Sequence, residues 1–181
     1  MLRPLIGEQK GVKIAIIAKE DLEKLWEIDN DPEGARYLRD PGQVFLQNDM
    51  EKLLEKLSSD KDTMRIYTIM YGEASEVVGS IGLYSINWKL GYAYIGYGIS
   101  KTYWKRGITT SAVEILTKYC FETLNLRKLI SSVLDPNVAS RTVLEKNGFM
   151  EIGRYSKHAY VPGKGFVDEI LYEKFNTSHF H

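Results

Sequence analysis

The chain has 181 residues, 24 Lys and Arg against 24 Asp and Glu, a formal net charge of zero and one cysteine. This length is enough for one domain whose hydrophobic core needs no disulfide and no structural metal, so we expect a single domain over residues 1–175, a flexible tail over 176–181 and no metal site. The balanced charge argues against a nucleic-acid-binding protein, no apolar run is long enough to cross a membrane, and the single cysteine is typical of a reducing, cytoplasmic location.

The first half of the chain predicts helices followed by a run of strands. Apolar residues repeat with helical spacing from Leu22 to Ile28, and Asp31 before Pro32 is typical of a helix start. Residues 87–91 are typical of a turn between two strands. In chain order we predict a strand over 12–18, helices over 20–28, 31–38 and 45–57, and strands over 65–70, 77–86 and 92–99.

The second half predicts alternating helices and strands. In chain order these are a helix over 107–124, a strand over 128–134, a helix over 137–146, and strands over 149–161 and 166–175. Asn147 and Gly148 are typical of a helix end. The strand, helix and strand within 92–134 require a right-handed parallel crossover. The predicted fold class is therefore α/β (α+β), a mixed and mostly antiparallel sheet with a central parallel βαβ unit and helices on both faces.

Two features mark the junction between the strand that ends at Ile99 and the next helix. Gly96 and Gly98 interrupt the strand, which predicts a β-bulge or the close approach of another chain or a ligand. Residues 101–111 are rich in bases, glycine and hydroxyls, and they lead into a helix N-terminus, where backbone N–H groups and the helix dipole attract phosphate. The pattern is neither a P-loop nor a dinucleotide fingerprint, so it also fits an ordinary helix start.

Two longer motifs carry a family resemblance. Residues 103–112 read YWKRGITTSA, and residues 135–149 read DPNVASRTVLEKNGF. Together they resemble the GCN5-related N-acetyltransferase (GNAT) superfamily, in particular the branch that includes ribosomal-protein N-terminal acetyltransferases, and the resemblance covers nearly the whole chain. It implies a GNAT-like fold with acetyl-CoA as acyl donor, the pyrophosphate lying on N–H groups of residues 106–110 and the pantetheine arm along residues 98–100. The implied coenzyme A site contains Gly98, Ile99, Ser100, Lys101, Arg106, Gly107, Ile108, Thr109, Thr110, Asn137 and Ser140.

The resemblance also suggests how the chain would perform acetyl transfer. A backbone N–H near Ile99 would stabilise the oxyanion, and Ser140 would donate a hydrogen bond to the departing sulfur. Asn137 would hold the pantetheine amide, although Asn137 and Ser140 also fit ordinary helix-start roles. Tyr94 stands where many relatives carry a Glu base and is the third catalytic candidate, with Ser140 and Ile99. We expect Tyr97 to be a packing or rim residue.

Three positions depart from the family pattern. Thr109 stands where the phosphate loop of relatives has Gly or Ala, and Trp104 where it often has Gln or Arg. Leu144 stands where polyamine-type relatives place a tyrosine acid. We expect direct transfer without a covalent enzyme intermediate, and Cys120, which lies among apolar helix residues, is expected to be buried rather than nucleophilic.

The expected acceptor is a primary amine, with a basic peptide or a protein N-terminus favoured. An α-amine with a pKa near 8 is about 10% neutral at pH 7, whereas a Lys amine is only about 0.04% neutral, so a site without an evident carboxylate base suits the α-amine. Residues 20–33 hold seven acids and one base, which would attract a basic peptide but equally a polyamine or an aminoglycoside. The alternatives are a small-molecule acetyltransferase for polyamines or amine antibiotics, and a non-catalytic acyl-CoA-binding module. We expect a monomer or homodimer with no nucleic-acid or membrane partner.

Overall fold

The computed structural model describes residues 3–37, 46–59 and 62–180. In these ranges the chain forms one sheet flanked by helices. The strands are β1 (Leu5–Gln9), β2 (Val12–Ile16), β3 (Arg65–Tyr71), β4 (Glu76–Asn87), β5 (Tyr92–Ile99), β6 (Lys128–Leu134), β7 (Met150–Val161) and β8 (Gly165–Phe175). The helices are α1 (Leu22–Asn30), α2 (Gln47–Ser59), α3 (Ile108–Glu122) and α4 (Val138–Lys146).

The sheet is mostly antiparallel. Its strand order is β1-β2-β3-β4-β5-β6-β8-β7, and among the described strands the neighbours β5 and β6 alone run parallel. Helix α3 connects these two strands, as a parallel crossover requires. The predicted fold class and its central βαβ unit are confirmed.

Helices cover both faces of the sheet, as predicted, and each face has its own core. On the face covered by α3 and α4, which we call the α3 face, Ala112, Leu116 and Leu144 are fully buried. On the opposite face, the α1 face, α1 and α2 bury Leu25 and Met50. None of the helices in the described part of the chain has the length and apolar character needed to cross a lipid bilayer.

The strands differ from expectation in two places. The sequence pattern does not predict β1, which pairs with β2 through a tight turn where Gly11 has a φ of 74°. The predicted bulge at Gly96 and Gly98 is wrong, because β5 pairs with β4 in unbroken register over residues 94–99. A close approach explains Gly96 instead, since a Cβ there would lie 3.1 Å from the ring of Tyr84.

Helix ends follow the predicted capping residues. Helix α1 begins after a 3₁₀ turn over Lys19–Asp21. The Asp31 carboxylate then accepts from two backbone N–H groups at 2.9 and 3.0 Å, and a 3₁₀ helix over Gly34–Tyr37 stands where the short helix was expected. Gly148, with a φ of 74°, follows the end of α4. Residue 38, where one predicted helix ends, and residue 45, where the next predicted helix begins, lie outside the described residues.

The segment expected to be a flexible tail starts at a residue bound to the body of the domain. Asn176 is buried, and its N–H donates to the carbonyl of Arg127 at 2.9 Å. Thr177–Phe180 form a 3₁₀ helix, and residue 181 lies outside the described residues.

A buried ion pair fixes the start of α1 to the sheet. Asp21 is 1% exposed and accepts hydrogen bonds from the Arg3 guanidinium, from Thr68 Oγ1 at 2.6 Å and from the Ala18 N–H at 2.9 Å. Burial alone would raise the pKa of Asp21, but these hydrogen bonds outweigh it and lower the pKa below its usual value. The sequence pattern does not predict this cluster.

Candidate active site

Strands β5 and β6 separate soon after they meet. Over these two fully described strands, the parallel pairing joins Tyr92–Tyr94 to Lys128–Ile130, while β6 continues to pair with β8 along its whole length. At the branch point Ser131 Oγ donates to the carbonyl of Ile95 at 3.2 Å. Residues 95–99 therefore form one side of an open fork in the middle of the sheet.

The backbone of Ile99 faces this fork. The N–H of Ser100 donates to the carbonyl of Val78 at 2.9 Å, so the neighbouring pair Gly79 and Ile99 is a non-hydrogen-bonded pair and Ile99 turns its backbone groups away from β4. Trp104 Nε1 donates to the Ile99 carbonyl at 3.1 Å, while the N–H of Ile99 points into the fork, as does the N–H of Tyr97 by the same alternation.

Of residues 98–100, which were expected to pair with the pantetheine arm, Ile99 is the residue whose backbone groups face the fork. The N–H and C=O of Ser100 are both taken, by Val78 and by the N–H of Tyr103. By the alternation of an antiparallel pair, Gly98 turns its backbone groups toward Ser80 on β4.

The N-terminus of α3 has the features of an anion site. Its N-cap residue, Gly107, has a φ of 76° and supplies no side-chain cap, and the first turn contains no acid. The backbone N–H groups of Ile108, Thr109 and Thr110 thus lie in the first turn, which has its positive dipole end beside the loop. The exposed Arg106 stacks its guanidinium 5.2 Å from the ring of Tyr103 and adds a positive charge at this end.

Lys101 is bound elsewhere. Its ammonium lies 3.0 Å from the Asp31 carboxylate and 3.7 Å from that of Glu33, and these contacts raise the pKa of Lys101. The structure thus ties the start of the loop to the segment after α1. These ion pairs do not support a role for Lys101 in binding coenzyme A, and that role stays a prediction.

Ser140 and Asn137 meet at the start of α4, across the fork from β5. The Asn137 side-chain oxygen accepts from the Ser140 N–H at 3.2 Å, which is the expected N-cap. Ser140 Oγ lies 3.0 Å from the hydroxyl of Tyr97, and that hydroxyl also donates to the Ser140 carbonyl at 3.2 Å. Burial raises the pKa of Tyr97 to about 12, so the phenol keeps its proton at neutral pH.

Tyr97 is thus more than the packing residue that the sequence suggested. It joins β5 to α4 beside the Ile99 N–H, whereas Tyr94 lies three residues earlier on the same strand and so points to the opposite face. Tyr94 is 41% exposed and packs against Tyr92 at 6.4 Å. The structure does not bring Tyr94 together with Ser140.

A cavity of about 520 Å³ opens on the α1 face, directly behind the fork. Ser80, Gly96 and Gly98 form its floor, and the ring of Tyr84 lies over that floor. Asp29, on the last turn of α1, lines the wall. Burial, and secondly the negative charge of Asp29, raise the pKa of Tyr84 to about 12. The cavity and the fork share residues 96–98 of β5.

Comparison with known proteins identifies the family. Residues 14–150 match the family model of the acetyltransferase (GNAT) domain. The uncharacterized N-acetyltransferase p20 of Bacillus licheniformis is 29% identical over 155 residues, which cover 84% of this chain and 86% of p20. The chain belongs to the GNAT acetyltransferase family. It is an N-acetyltransferase whose acyl donor is acetyl-CoA, and this sets aside the non-catalytic module.

The solved structures that share the fold include two N-acetyltransferases with different named substrates. The spermidine N-acetyltransferase from Vibrio cholerae, in complex with coenzyme A and spermine, has a TM-score of 0.84 at 18% identity and covers 96% of this chain and 100% of its own. RimL, a ribosomal L7/L12 α-N-protein acetyltransferase in complex with coenzyme A, has a TM-score of 0.84 at 19% identity and covers 95% and 98%. These identities show the fold alone, and the names refer to different amines.

The described residues suit coenzyme A. The uncapped first turn of α3 offers N–H groups to a pyrophosphate, and the fork offers the Ile99 N–H to an extended amide chain. The fork leads from that turn to the shared residues 96–98, where the thioester end would meet the cavity.

Proposed function

We propose that this enzyme acetylates the N-terminal α-amine of a protein or peptide by direct transfer from acetyl-CoA. The observation that carries the proposal is the junction at residues 96–98, where a fork that contains the Ile99 N–H and the paired hydroxyls of Tyr97 and Ser140 meets a cavity on the other face of the sheet. A thioester in the fork and an amine in the cavity would thus approach each other from opposite faces.

The chemistry follows from three groups on the fork side. The Ile99 N–H stabilises the oxyanion that forms when the neutral amine attacks the carbonyl carbon. Ser140 Oγ donates its proton in a hydrogen bond to the departing sulfur, and the Tyr97 hydroxyl turns its own proton from the Ser140 carbonyl to Ser140 Oγ. As the C–N bond forms and the C–S bond breaks, the amine loses one proton and the sulfur gains one, so the products are an amide and the thiol of coenzyme A.

The remaining donor-site roles are proposed as follows. The N–H groups of residues 106–110 bind the pyrophosphate. Asn137, whose amide oxygen is the N-cap acceptor, offers its side-chain NH₂ to a pantetheine carbonyl. Cys120 is fully buried in α3 and burial raises the pKa of its thiol, so it supplies no nucleophile for an acetyl-enzyme.

We expect an α-amine to be the preferred acceptor because strand β5 supplies no general base. Tyr94 supplies no carboxylate, and an α-amine needs less help than a Lys side chain to become neutral. The acidic segment 20–33 is also less available to a polycation than its composition suggests, because at least four of its seven acids have basic partners among the described residues: Asp21, Glu27, Asp31 and Glu33. A cytoplasmic location, suggested by the single cysteine, belongs to the same proposal.

The test is a panel of acceptors with acetyl-CoA, monitored by thiol release. The panel holds peptides with free N-termini, the same peptides with blocked N-termini and one internal Lys, spermidine and kanamycin. We expect the free N-termini to have the highest kcat/KM at pH 7, with mass spectrometry locating the acetyl group on the α-nitrogen. A higher kcat/KM for spermidine or kanamycin would replace the proposal by small-molecule acetylation.

A further inference from the structure

The indole of Trp104 binds the end of strand β5 from the fork side. Its Nε1–H donates to the carbonyl of Ile99 at 3.1 Å, and the backbone N–H of Trp104 donates to the carbonyl of Lys101, also at 3.1 Å, which closes the 3₁₀ turn after β5. Over the fully described strands β5 and β6, the parallel ladder ends at Tyr94. The indole thus takes the place of a neighbouring strand at the Ile99 carbonyl.

This bond fixes one peptide unit from both sides. The carbonyl of Ile99 and the N–H of Ser100 belong to the same planar peptide. Trp104 holds the carbonyl on the fork side, and the carbonyl of Val78 on β4 holds the N–H at 2.9 Å. Because the two bonds lie on opposite edges of the strand, rotation of the peptide breaks at least one of them. The N–H of Ile99, the proposed oxyanion donor, is joined to this peptide at the Ile99 Cα, so such a rotation would also change its direction.

The exposure of Trp104 indicates that this bond, rather than packing in the core, sets the position of the ring. Trp104 is 40% exposed. The neighbouring Tyr103 packs against the core, and its ring lies 6.2 Å from the ring of Tyr71 on β3. Tyr103 therefore holds the loop to the domain by a separate contact. Loss of the indole N–H should affect the end of β5 more than the position of the loop.

We propose, on the basis of the acetyl-transfer mechanism proposed above, that Trp104 is a positioning residue for the oxyanion. Its indole N–H holds the peptide between Ile99 and Ser100 in the orientation that aims the Ile99 N–H into the fork. The negative charge forms on the thioester oxygen only as the amine attacks, so a misdirected N–H lowers kcat more than it weakens the binding of coenzyme A.

The first test removes the donor and keeps an aromatic ring. Trp104→Phe should lower kcat by about three- to tenfold, the factor that one hydrogen bond of ordinary strength supports, while the Kd for coenzyme A in calorimetry changes by less than about twofold. The acceptor is the member of the panel above with the highest kcat/KM. A preference for spermidine would overturn the proposed function and leave this test valid. An unchanged kcat, or a loss confined to coenzyme A affinity, would overturn the role of Trp104.

Trp88→Phe is the matched control. Trp88 is 42% exposed, and its Nε1 donates to the backbone carbonyl of Asp62 at 2.8 Å, so the substitution removes the same kind of bond from a similar surface position. Trp88 lies in the turn between β4 and β5, at the end of β5 that is remote from Ile99. We expect the wild-type kcat in Trp88→Phe. Equal losses of kcat in the two variants would contradict a specific role of Trp104.

A second variant of Trp104 restores the donor without the ring. The side-chain nitrogen of Gln is separated from Cα by as many bonds as the indole nitrogen, and it carries N–H donors. Trp104→Gln should therefore have a kcat within about threefold of the wild type and above that of Trp104→Phe. If Trp104→Gln is folded by circular dichroism and its kcat is no higher than that of Trp104→Phe, the ring matters rather than the hydrogen bond, and the inference is wrong.

Discussion

The hydrogen bond between Tyr97 and Ser140 gives the sharpest test of the proposed mechanism. Tyr97→Phe removes one oxygen atom and keeps the ring, so it deletes the contacts to Ser140 Oγ at 3.0 Å and to the Ser140 carbonyl at 3.2 Å. A hydrogen bond of this kind contributes about 1 to 2 kcal/mol when it supports a developing charge, which corresponds to roughly a 5- to 30-fold loss in kcat. The KM for acetyl-CoA should be nearly unchanged, because the interaction strengthens only as the thiolate forms.

The assay is thiol release under saturating acetyl-CoA for wild type, Tyr97→Phe, Ser140→Ala and the double variant. If Tyr97 acts through Ser140, the double variant should be no slower than Ser140→Ala. Tyr92→Phe is the control, since Tyr92 lies on the same strand where β5 is still paired with β6. Losses in kcat that multiply in the double variant, or an unchanged kcat in Tyr97→Phe, would refute the reasoning.

The pH profile supplies an independent measurement. Burial raises the pKa of Tyr97 to about 12, so its hydroxyl stays protonated through the range in which an α-amine loses its proton. The rate should therefore rise through a pKa near 8 and remain level toward pH 10. A fall in rate between pH 9 and 10 in the wild type that is absent in Tyr97→Phe would show that the phenol ionises there, against this account.

Three further predictions concern the donor site and the fold. Gly107→Asp should weaken coenzyme A binding in calorimetry by about 1 to 4 kcal/mol through charge repulsion, whereas the neutral Gly107→Asn, which also tolerates the positive φ, should bind nearly as well as wild type. Equal affinities for the two variants would argue against a pyrophosphate at this turn. Asn137→Ala should weaken coenzyme A binding and cost about 1 kcal/mol in denaturant unfolding because the N-cap is lost. A loss of stability without a loss of affinity would show that Asn137 only caps α4. Asp21→Asn should cost about 3 kcal/mol of stability, because it leaves the Arg3 charge without its partner. Because the pKa of Asp21 is lowered by folding, its contribution is present above the usual pKa of 3.8 and is lost as pH falls through the lowered value, so the difference between variant and wild type should shrink in acid. A difference that is independent of pH would contradict the ion-pair explanation.

Local patterns in the sequence predicted most of the elements. The apolar spacing of α1, the glycine before α3 and the cap at Asn137 each depend on residues within one or two turns of chain. The fold class followed from the order of these elements and from the two family motifs. Helix starts and crossovers are governed by short-range geometry, and this is why those expectations are confirmed.

Contacts between distant parts of the chain were not predictable in this way. Tyr97 and Ser140 are 43 residues apart, and the pattern around Tyr97 is that of an ordinary strand. The glycines of β5 predict either a bulge or a close approach, and the local pattern does not decide between them because the ring of Tyr84, which Gly96 admits, belongs to another strand. The sequence shows Asp31 and Glu33 as part of an acidic segment, and the ion pairs that Lys101 forms with both carboxylates arise from the fold. In each case tertiary pairing decides the role of the residue.

The register of β5 connects these observations. In the second half of β5, the odd-numbered side chains point to the α3 face, where Tyr97 contacts α4. The even-numbered positions Gly96 and Gly98 face the cavity on the other side. A shift of the strand by one residue would therefore put a ring into the cavity and a glycine opposite Ser140. The register is held by the bond from the Ser100 N–H to Val78 and by a close contact at Gly79, where a Cβ would collide with the carbonyl oxygen of Gly98. Gly79 faces neither substrate in the proposed mechanism, yet a side chain there would displace the strand that carries the oxyanion donor. The geometry that brings a thioester and an amine together from opposite faces thus depends on how closely β4 approaches β5.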